Sequence, residues 1–393
     1  MALITSLLLI YFSAATIYVL FFALAGKITY KKFVGKSDKY AKIAVFVPAY
    51  KEDAIMPSIA KQLLVSDYPA EQYDVIVIAD SFQKETVEKL NKLPLKVVEV
   101  AWEESTKAKS LNYTLAFFEG QYDVVVISDA DNILEKSFLS KINNAYQNGY
   151  SVIQGCRVAK NLNTSFAILD GASEAINNHI FRRGANALGL SSALIGSGMA
   201  FDYALLKKEL GKIKAVGGFD KELQLSVIKK GHHILYMEDA IAYDEKIEKA
   251  STFGKQRRRW LSTQFIYLKK HFSPGFTELL KGNISYFNLA ILVNIFLSRV
   301  LTLGALCGLT FVYSLFAPLD VALLWWGLLL TYGVSLLISL PQRMYNKKTL
   351  GALLKLPQAF LIMLLSLLKI KGANKKFIHT AHTNTEVDNS AVL

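Results

Sequence analysis

The chain has 393 residues, 52% of them hydrophobic, and a formal charge of +13 at pH 7, enough length for one large domain or two. The positive excess does not mark a nucleic-acid binder, because much of it flanks apolar segments, where basic residues meet anionic lipid headgroups and fix topology. Cys156 and Cys307, the only cysteines, fit neither a disulfide framework nor a zinc spacing, as expected of a reducing cytosolic face.

The first 25 residues carry no charged side chain. Ala2 to Ala25 therefore has the length of a spanning helix, at about 1.5 Å per residue across about 30 Å of hydrocarbon. A cleaved signal peptide is the alternative, since Ala23-Leu24-Ala25 has the form of a cleavage site. Against it, no basic residue precedes the run, which is also too long for a signal core. Lys27, Lys31, Lys32, Lys36, Lys39 and Lys42 follow, and by the positive-inside rule they place the middle of the chain in the cytoplasm.

Ile43 to Val47 is a buried-strand candidate stopped by Pro48, and a helix with Ile55, Ile59, Leu63 and Leu64 at helical spacing follows. Val75 to Ala79 is a second such strand, ending on Asp80; a helix from Lys84 to Leu93 and a strand from Leu95 to Val100 come next. Lys107 opens another helix, and Val124 to Ile127 is a β-branched run without alternation, the pattern of a strand covered on both faces. This alternation predicts a doubly wound, mostly parallel sheet over residues 40–150.

The run from Val124 ends in Ser128-Asp129-Ala130-Asp131-Asn132. Two residues apart in an extended segment, Asp129 and Asp131 point the same way and can offer hard oxygen ligands to one divalent cation. In open α/β sheets ligands bind beyond the carboxyl ends of the strands, where this pair lies. A solvated turn has the same residue types, so the neighbours matter: Glu52 and Asp80 also follow strands toward that edge. No G-x-G-x-x-G follows the first strand and there is no P-loop, which argues against a dinucleotide enzyme or a P-loop ATPase.

Val-Pro-Ala-Tyr-Lys-Glu (47–52), Ile-Ala-Asp-Ser (78–81), Lys-Ala-Lys-Ser-Leu-Asn (107–112) and Ser-Asp-Ala-Asp-Asn (128–132) resemble the successive nucleotide-sugar motifs of family 2 glycosyltransferases. The order continues with Gly-Ser-Gly-Met-Ala-Phe (196–201) and Gly-Gly-Phe-Asp-Lys-Glu-Leu (217–223). Gln256-Arg257-Arg258-Arg259-Trp260 is similar to the Q-x-x-R-W signature of the membrane-embedded members, the hyaluronan, chitin-oligosaccharide, poly-N-acetylglucosamine and cellulose synthases and the ceramide glucosyltransferases. The resemblance implies an α/β, GT-A type nucleotide-sugar-binding domain over residues 40–270, with a mostly parallel twisted sheet and transmembrane helices at both ends.

It also implies roles. Asp131 would ligate Mg²⁺ or Mn²⁺ on the diphosphate, with Asp129 beside it contacting the ribose or donor sugar; Glu52 and Asp80 would hold base and ribose, and Lys107 would lie near the nucleotide. The acceptor hydroxyl needs a carboxylate to take its proton. Aligning Leu223 and Leu225 with the family's leucines puts Glu222 at that position, with Asp220 as runner-up. Lys221-Glu222 departs from the family's Glu-Asp, and Ala108 stands where glycine is common. Gln256 and Arg259 would contact pyrophosphate or acceptor, and Trp260 would offer the acceptor sugar a flat face. Arg257 and Arg258 suit a basic stretch at the membrane surface, and Arg182 and Arg183 either line the acceptor path or sit on a surface helix. His179, His232 and His233 have no second ligand at a recognised spacing and are not read as metal ligands.

After Trp260, Phe265, Leu268 and Phe272 with Lys269 and Lys270 suggest an interfacial amphipathic helix. Tyr286 to Phe316 and Leu319 to Leu340 are the C-terminal spans, joined at Pro318. Leu350 to Leu368, interrupted by Lys355 and Pro357, is either a further span or an interfacial segment. Phe377 to His382 resembles the aromatic-x-x-Thr gating segment of membrane synthases. The expected domains are an anchor at 1–26, the cytosolic domain at 40–270, a membrane region at 284–370 and a tail at 371–393.

Together these readings predict an inverting, metal-dependent glycosyltransferase in the cell membrane, multi-pass, with its catalytic domain cytoplasmic. Its donor would be a nucleotide sugar, taken as UDP-linked, and its acceptor a glycan or lipid-linked glycan; membrane lipids are partners and nucleic acid is not. Few apolar segments favour one or few additions over a processive synthase that secretes its polymer. A non-catalytic scaffold keeping the nucleotide-sugar fold is the other alternative, and a transporter is disfavoured because the spans are nearly free of charge.

Overall fold

Ile43 to Phe46 offers no polar side chain to water, so it can only lie in the middle of a covered sheet. The computed structural model, which describes residues 2–213, 217–370 and 382–388, places it there. In chain order the strands are β1 (Ile43–Tyr50), β2 (Tyr73–Asp80), β3 (Lys96–Val100), β4 (Val124–Ile127), β5 (Ile133–Leu134), β6 (Val152–Ala159), β7 (Met199–Asp202) and β8 (Ile234–Asp244). They form one sheet in the order β3-β2-β1-β4-β7-β6-β8-β5.

The half built from residues 43–127 is parallel throughout, with helices Met56–Leu63, Lys84–Asn91 and Lys107–Phe117 as crossovers. This is the doubly wound pattern expected for that stretch. The other half is mixed. β7 runs antiparallel to both β4 and β6, so β6 runs in the direction of β4, and β8 pairs parallel with β6. The carboxyl ends of β1, β2, β4, β6 and β8 therefore face one way, and the sheet edge at which ligands are expected in such folds draws on residues well past 150.

Pro48 does not stop β1, contrary to expectation. The carbonyl of Phe46 accepts from the amide of Ser128, so the even-numbered residues of β1 turn their peptide groups toward β4. Pro48 turns its missing N–H the same way, beyond Phe46–Ile127, the last β1–β4 pair, where the ladder needs no donor.

The chain forms two compact units. One contains the sheet and comprises Lys32–Leu162, Ser191–Lys246 and Asn374–Leu393. Its core is the apolar face of β1, β2 and β4 with Ile55, Ile59, Phe138 and Ile142 from the covering helices.

The other unit is helical and comprises Met1–Lys31, Asn163–Leu190 and Ile247–Ala373. Among the described residues, three of its helices are long and apolar enough to cross a membrane: Leu3–Ile28, Arg299–Phe316 and Leu319–Ile338. A fourth candidate is the pair Lys347–Leu353 and Leu356–Leu368, bent by 47° where Lys355 and Pro357 interrupt the apolar run. Trp325, fully buried, packs against Phe12 and stacks on Tyr313. Gly26 and Gly184 bring two segments together: a Cβ on Gly26 would stand 3.0 Å from the ring of His179.

The apolar run from Tyr286 to Phe316 is not one span. A short helical stretch ends at Ile295, and the chain restarts as a helix at Arg299. Asn294 folds its amide back onto the carbonyls of Leu289 (2.8 Å) and Ala290 (3.1 Å), while Gln264 donates to the carbonyls of Asn294 (2.9 Å) and Phe296 (2.7 Å). These side chains satisfy the carbonyls freed by the break, as apolar surroundings require.

Candidate active site

At the carboxyl ends of β1 and β2 the backbone turns sharply. Lys51 and Ser81 take positive φ values of 54° and 61°, unusual for residues with a Cβ and a form of strain that clusters at functional sites. Each precedes or follows a predicted donor-site acid. Glu52 comes just after Lys51, and Asp80, which precedes Ser81, accepts from the hydroxyls of Ser81 (3.0 Å) and Ser105. Glu52 and Asp80 are both buried, at 6% and 2% exposure.

Beyond β4 the chain makes a turn organised by Asn132, which is fully buried. Its carbonyl oxygen accepts from the amide of Asp129 (3.3 Å) and from the hydroxyl of Ser197, and its amide nitrogen reaches Asp131 (3.4 Å) and Asp244 (3.2 Å). The register explains the last contact: β5 pairs antiparallel with the end of β8, Ile133 opposite Tyr243, so Asn132 falls opposite Asp244.

Asp129, Asp131 and Asp244 each present a carboxylate oxygen, and the three oxygens lie within 4.8 Å of one another. Oxygen ligands at about 2.0–2.6 Å from one cation stand at most about 5 Å apart, so the set fits a single hard divalent ion. The structure thus brings Asp129 and Asp131 together with a third acid that sequence reasoning missed. A signal was available: Asp244 ends a strand parallel to β4, the rule that had selected Asp80.

Among the described residues, side-chain cations form direct ion pairs with two of the three acids. Lys107 pairs with Asp129 and donates to the carbonyl of Gly196 (2.7 Å). Lys246 donates to Asp244 (2.6 Å), with Arg157 at 3.6 Å. Asp131 instead accepts from the backbone amide of Glu245 (2.9 Å). Burial, with Asp244 and Asp129 adding repulsion and His382 and Lys160 opposing it, pushes its carboxyl up to about 6. Such a group is poised to gain from a cation.

Glu52 accepts from Nδ1 of His382 at 2.9 Å. Burial pulls this imidazole down, but Asp131 and Glu52 outweigh it and raise it to about 10, so it is cationic at neutral pH. Of the predicted gating segment Phe377 to His382, only His382 lies within the described residues.

Asp220 and Glu222 occupy the first turn of the helix Phe219–Lys229. Burial raises the carboxyl of Asp220, with Lys221 and then Lys107 opposing it. A Cβ on Gly196 would stand 3.8 Å from Cγ of Asp220, so this acid is close to the carbonyl that Lys107 binds. Glu222 is half-buried in the same turn.

Gln256, Arg259 and Trp260 belong to the helical unit, on the 31-residue helix Ala250–Leu280. The side-chain oxygen of Gln256 is buried with no donor among the described residues, and Trp260 is 36% exposed. Arg257 is not a solvated surface residue: it is buried, paired with Asp170 and set over the Trp260 ring at 4.3 Å. Nor does Arg182 sit on a surface helix, being buried and bonded to Glu174 (3.3 Å) and Asn178 (2.8 Å). His179 meets the carbonyl of Ala23 at 2.8 Å.

A family model described as "Glycosyltransferase like family 2" matches residues 41–263. A curated relative, "Probable glycosyltransferase YdaM" of Bacillus subtilis (strain 168), is 25% identical over 306 residues, 70% of this chain and 71% of its own. Among solved structures, the mannosyltransferase PcManGT from Pyrobaculum calidifontis, in complex with GDP-Man and Mn²⁺, has a similar fold. It covers 93% of this chain and 99% of its own at a TM-score of 0.58 and 16% identity.

Proposed function

The chain belongs to glycosyltransferase family 2, and from that premise we propose that it transfers a sugar, with inversion, from a nucleotide sugar to a glycan or lipid-linked acceptor at the cytoplasmic face of a membrane. The observation that carries this reading is the convergence of Asp129, Asp131 and Asp244 at the strand edge that also holds Glu52 and Asp80.

Asp131 and Asp244, with Asp129, would hold Mn²⁺ or Mg²⁺, which when bound offsets the charge that gathers on the departing diphosphate. Glu52 and Asp80 hold the base and ribose, and Lys107 keeps Asp129 in place beside the donor. Glu222 takes the proton of the attacking acceptor hydroxyl, with Asp220 in the same turn as the second candidate. Gln256 and Arg259 contact pyrophosphate or acceptor, and Trp260 stacks on the acceptor sugar, as the family resemblance implies. The lysines after the first apolar helix support a cytoplasmic catalytic domain. The donor is taken as UDP-linked.

The test is release of nucleoside diphosphate by detergent-purified protein over a panel of UDP- and GDP-sugars with Mn²⁺, with and without a lipid extract as acceptor source. One donor should turn over, and Glu222→Gln should lower kcat by at least about 100-fold, the usual scale of general-base loss. Turnover that survives Glu222→Gln and falls in Asp220→Asn moves the base to Asp220. Silence with every donor and lipid present refutes the reading.

A further inference from the structure

Lys160 directly follows β6 at the carboxyl ends of the strands and, among the described residues, is the one charged side chain among the largest fully buried ones, with 0% exposure. Burying an ammonium group is costly unless its donors are used. Its Nζ donates to the backbone carbonyls of Asp131 (2.7 Å) and Asn384 (2.6 Å), with a carboxylate oxygen of Glu245 at 3.8 Å. One of these partners is in the metal-site turn, and another lies more than 200 residues away near the end of the chain.

The contacts close a ring. The amide of Glu245 donates to the carboxylate of Asp131 (2.9 Å), and the carboxylate of Glu245 accepts from the amides of Thr383 (3.3 Å) and Asn384 (3.0 Å). The carbonyl of Asn384 returns to Lys160 and through it to Asp131. The segment is held along its length: Gln62 donates to the carbonyl of Thr385, Val387 packs against the sheet core, and the amide of Asp388 donates to the carbonyl of Lys160 (2.9 Å).

Taking Asp129, Asp131 and Asp244 as the cation site, as proposed above, we infer that Lys160 is a positioning residue that couples docking of residues 382–388 to the geometry of Asp131. With the segment docked, the ammonium group is satisfied from both sides and fixes the Asp131 turn, while Glu245 is fixed by Thr383 and Asn384 and presents its amide to the Asp131 carboxylate. Without the segment, Lys160 loses the Asn384 carbonyl and Glu245 loses its two amide donors. The ammonium and carboxylate then turn toward each other or toward water, and both supports of Asp131 shift. Residues 382–388 are thus part of the supporting shell of the proposed metal centre.

The experiment compares the full chain, a chain ending at His382, Lys160→Met, and the two changes combined. It titrates Mn²⁺ by electron paramagnetic resonance in the presence of UDP or GDP and follows amide hydrogen exchange at Thr383 and Asn384 in the full-length proteins. Either single change should weaken Mn²⁺ binding by roughly tenfold or more, the usual effect of losing an outer-shell partner. The combined change should be no weaker than the worse single one, because both break the same ring. Lys160→Met should also speed exchange at the two amides. The truncated chain keeps the buried lysine, so it tests the inference even if Lys160→Met does not fold. Mn²⁺ constants equal to the full chain's, or losses that multiply in the combined variant, overturn the inference. A full chain that binds neither Mn²⁺ nor nucleotide overturns the functional reading and this coupling with it, an outcome distinct from binding that is intact in all four proteins.

Discussion

Asp131 is the residue where stability and the proposed cation binding oppose one another. An aspartate in the unfolded chain titrates near 3.8, whereas here burial and the neighbouring carboxylates raise it to about 6. The folded protein therefore holds this proton more tightly than the unfolded chain. Ionising the group lowers stability progressively between pH 3.8 and about 6, and fully above that. Asp131→Asn should accordingly raise the melting temperature of the metal-free protein at pH 7.5, with the gain shrinking toward pH 4. Thermal scans in EDTA measure it, and a gain that grew on acidification would contradict the electrostatic account. The same scale shows what sequence could reveal. Asp129, Asp131, Glu52 and Asp80 were legible because each ends or follows a recognisable strand. Asp244 obeys the same rule and escaped because β8, with its Met237-Glu238-Asp239 interior, lacks the continuous apolar run that marked the others. Lys160 and Glu245 carried no local signal, since their partners at 383 and 384 are set by tertiary structure alone.

Among the elements, β6 carries the sharpest steric constraint. Its register against β8 slips between Gly155 and Cys156, and a Cβ on Gly155 would meet the carbonyl of Ala240 at 2.7 Å and the Phe138 ring at 2.8 Å. These neighbours are backbone and a packed aromatic, so they have little room to yield. Gly155→Ala should cost about 1–3 kcal/mol, the usual scale of overpacking, seen as a lower denaturation midpoint; a neutral result would mean the bulge is not tightly packed. Pairing direction was legible for β1 to β4, where helices of ordinary length separate apolar runs. The antiparallel insertion of β7 was not, because Met199–Asp202 is a four-residue strand whose place is fixed by both neighbours. The break at 296–298 was equally hidden. Hydropathy averages over Asn294, whose amide terminates one helical stretch before Arg299 begins the next.

For the molecule as a whole, one helix gathers three arginines of the helical unit. Ser165–Asn177, extended by Asn178, offers Asp170 to Arg257, Glu174 and Asn178 to Arg182, and Ser173 and Asn177 to Arg299. The spacing of residues 170, 173, 174, 177 and 178 is that of a single helical stripe. Residues 163–190 thus fold with the apolar helices despite their mixed composition, a placement that charge pattern alone does not announce. Breaking one of these pairs leaves an uncompensated buried charge. Asp170→Asn should destabilise the detergent-purified protein by about 3–5 kcal/mol, and combining it with Arg257→Met should recover most of the loss. Recovery in the double variant, read from denaturation midpoints, separates a lost ion pair from a damaged helix. The three long apolar helices also predict that the chain stays with the membrane after an alkaline wash.

The most direct test of the central claim, that Asp129, Asp131 and Asp244 form one cation centre for a nucleoside diphosphate, is an Mn²⁺ titration of the purified protein with UDP and with GDP beside Asp131→Ala and Asp244→Asn. One Mn²⁺ site should appear that tightens when the matching nucleotide is present, with affinity lowered in Asp244→Asn, which loses a charged oxygen ligand, and binding abolished in Asp131→Ala. Mn²⁺ bound equally by all three proteins, or indifferent to both nucleotides, would contradict it.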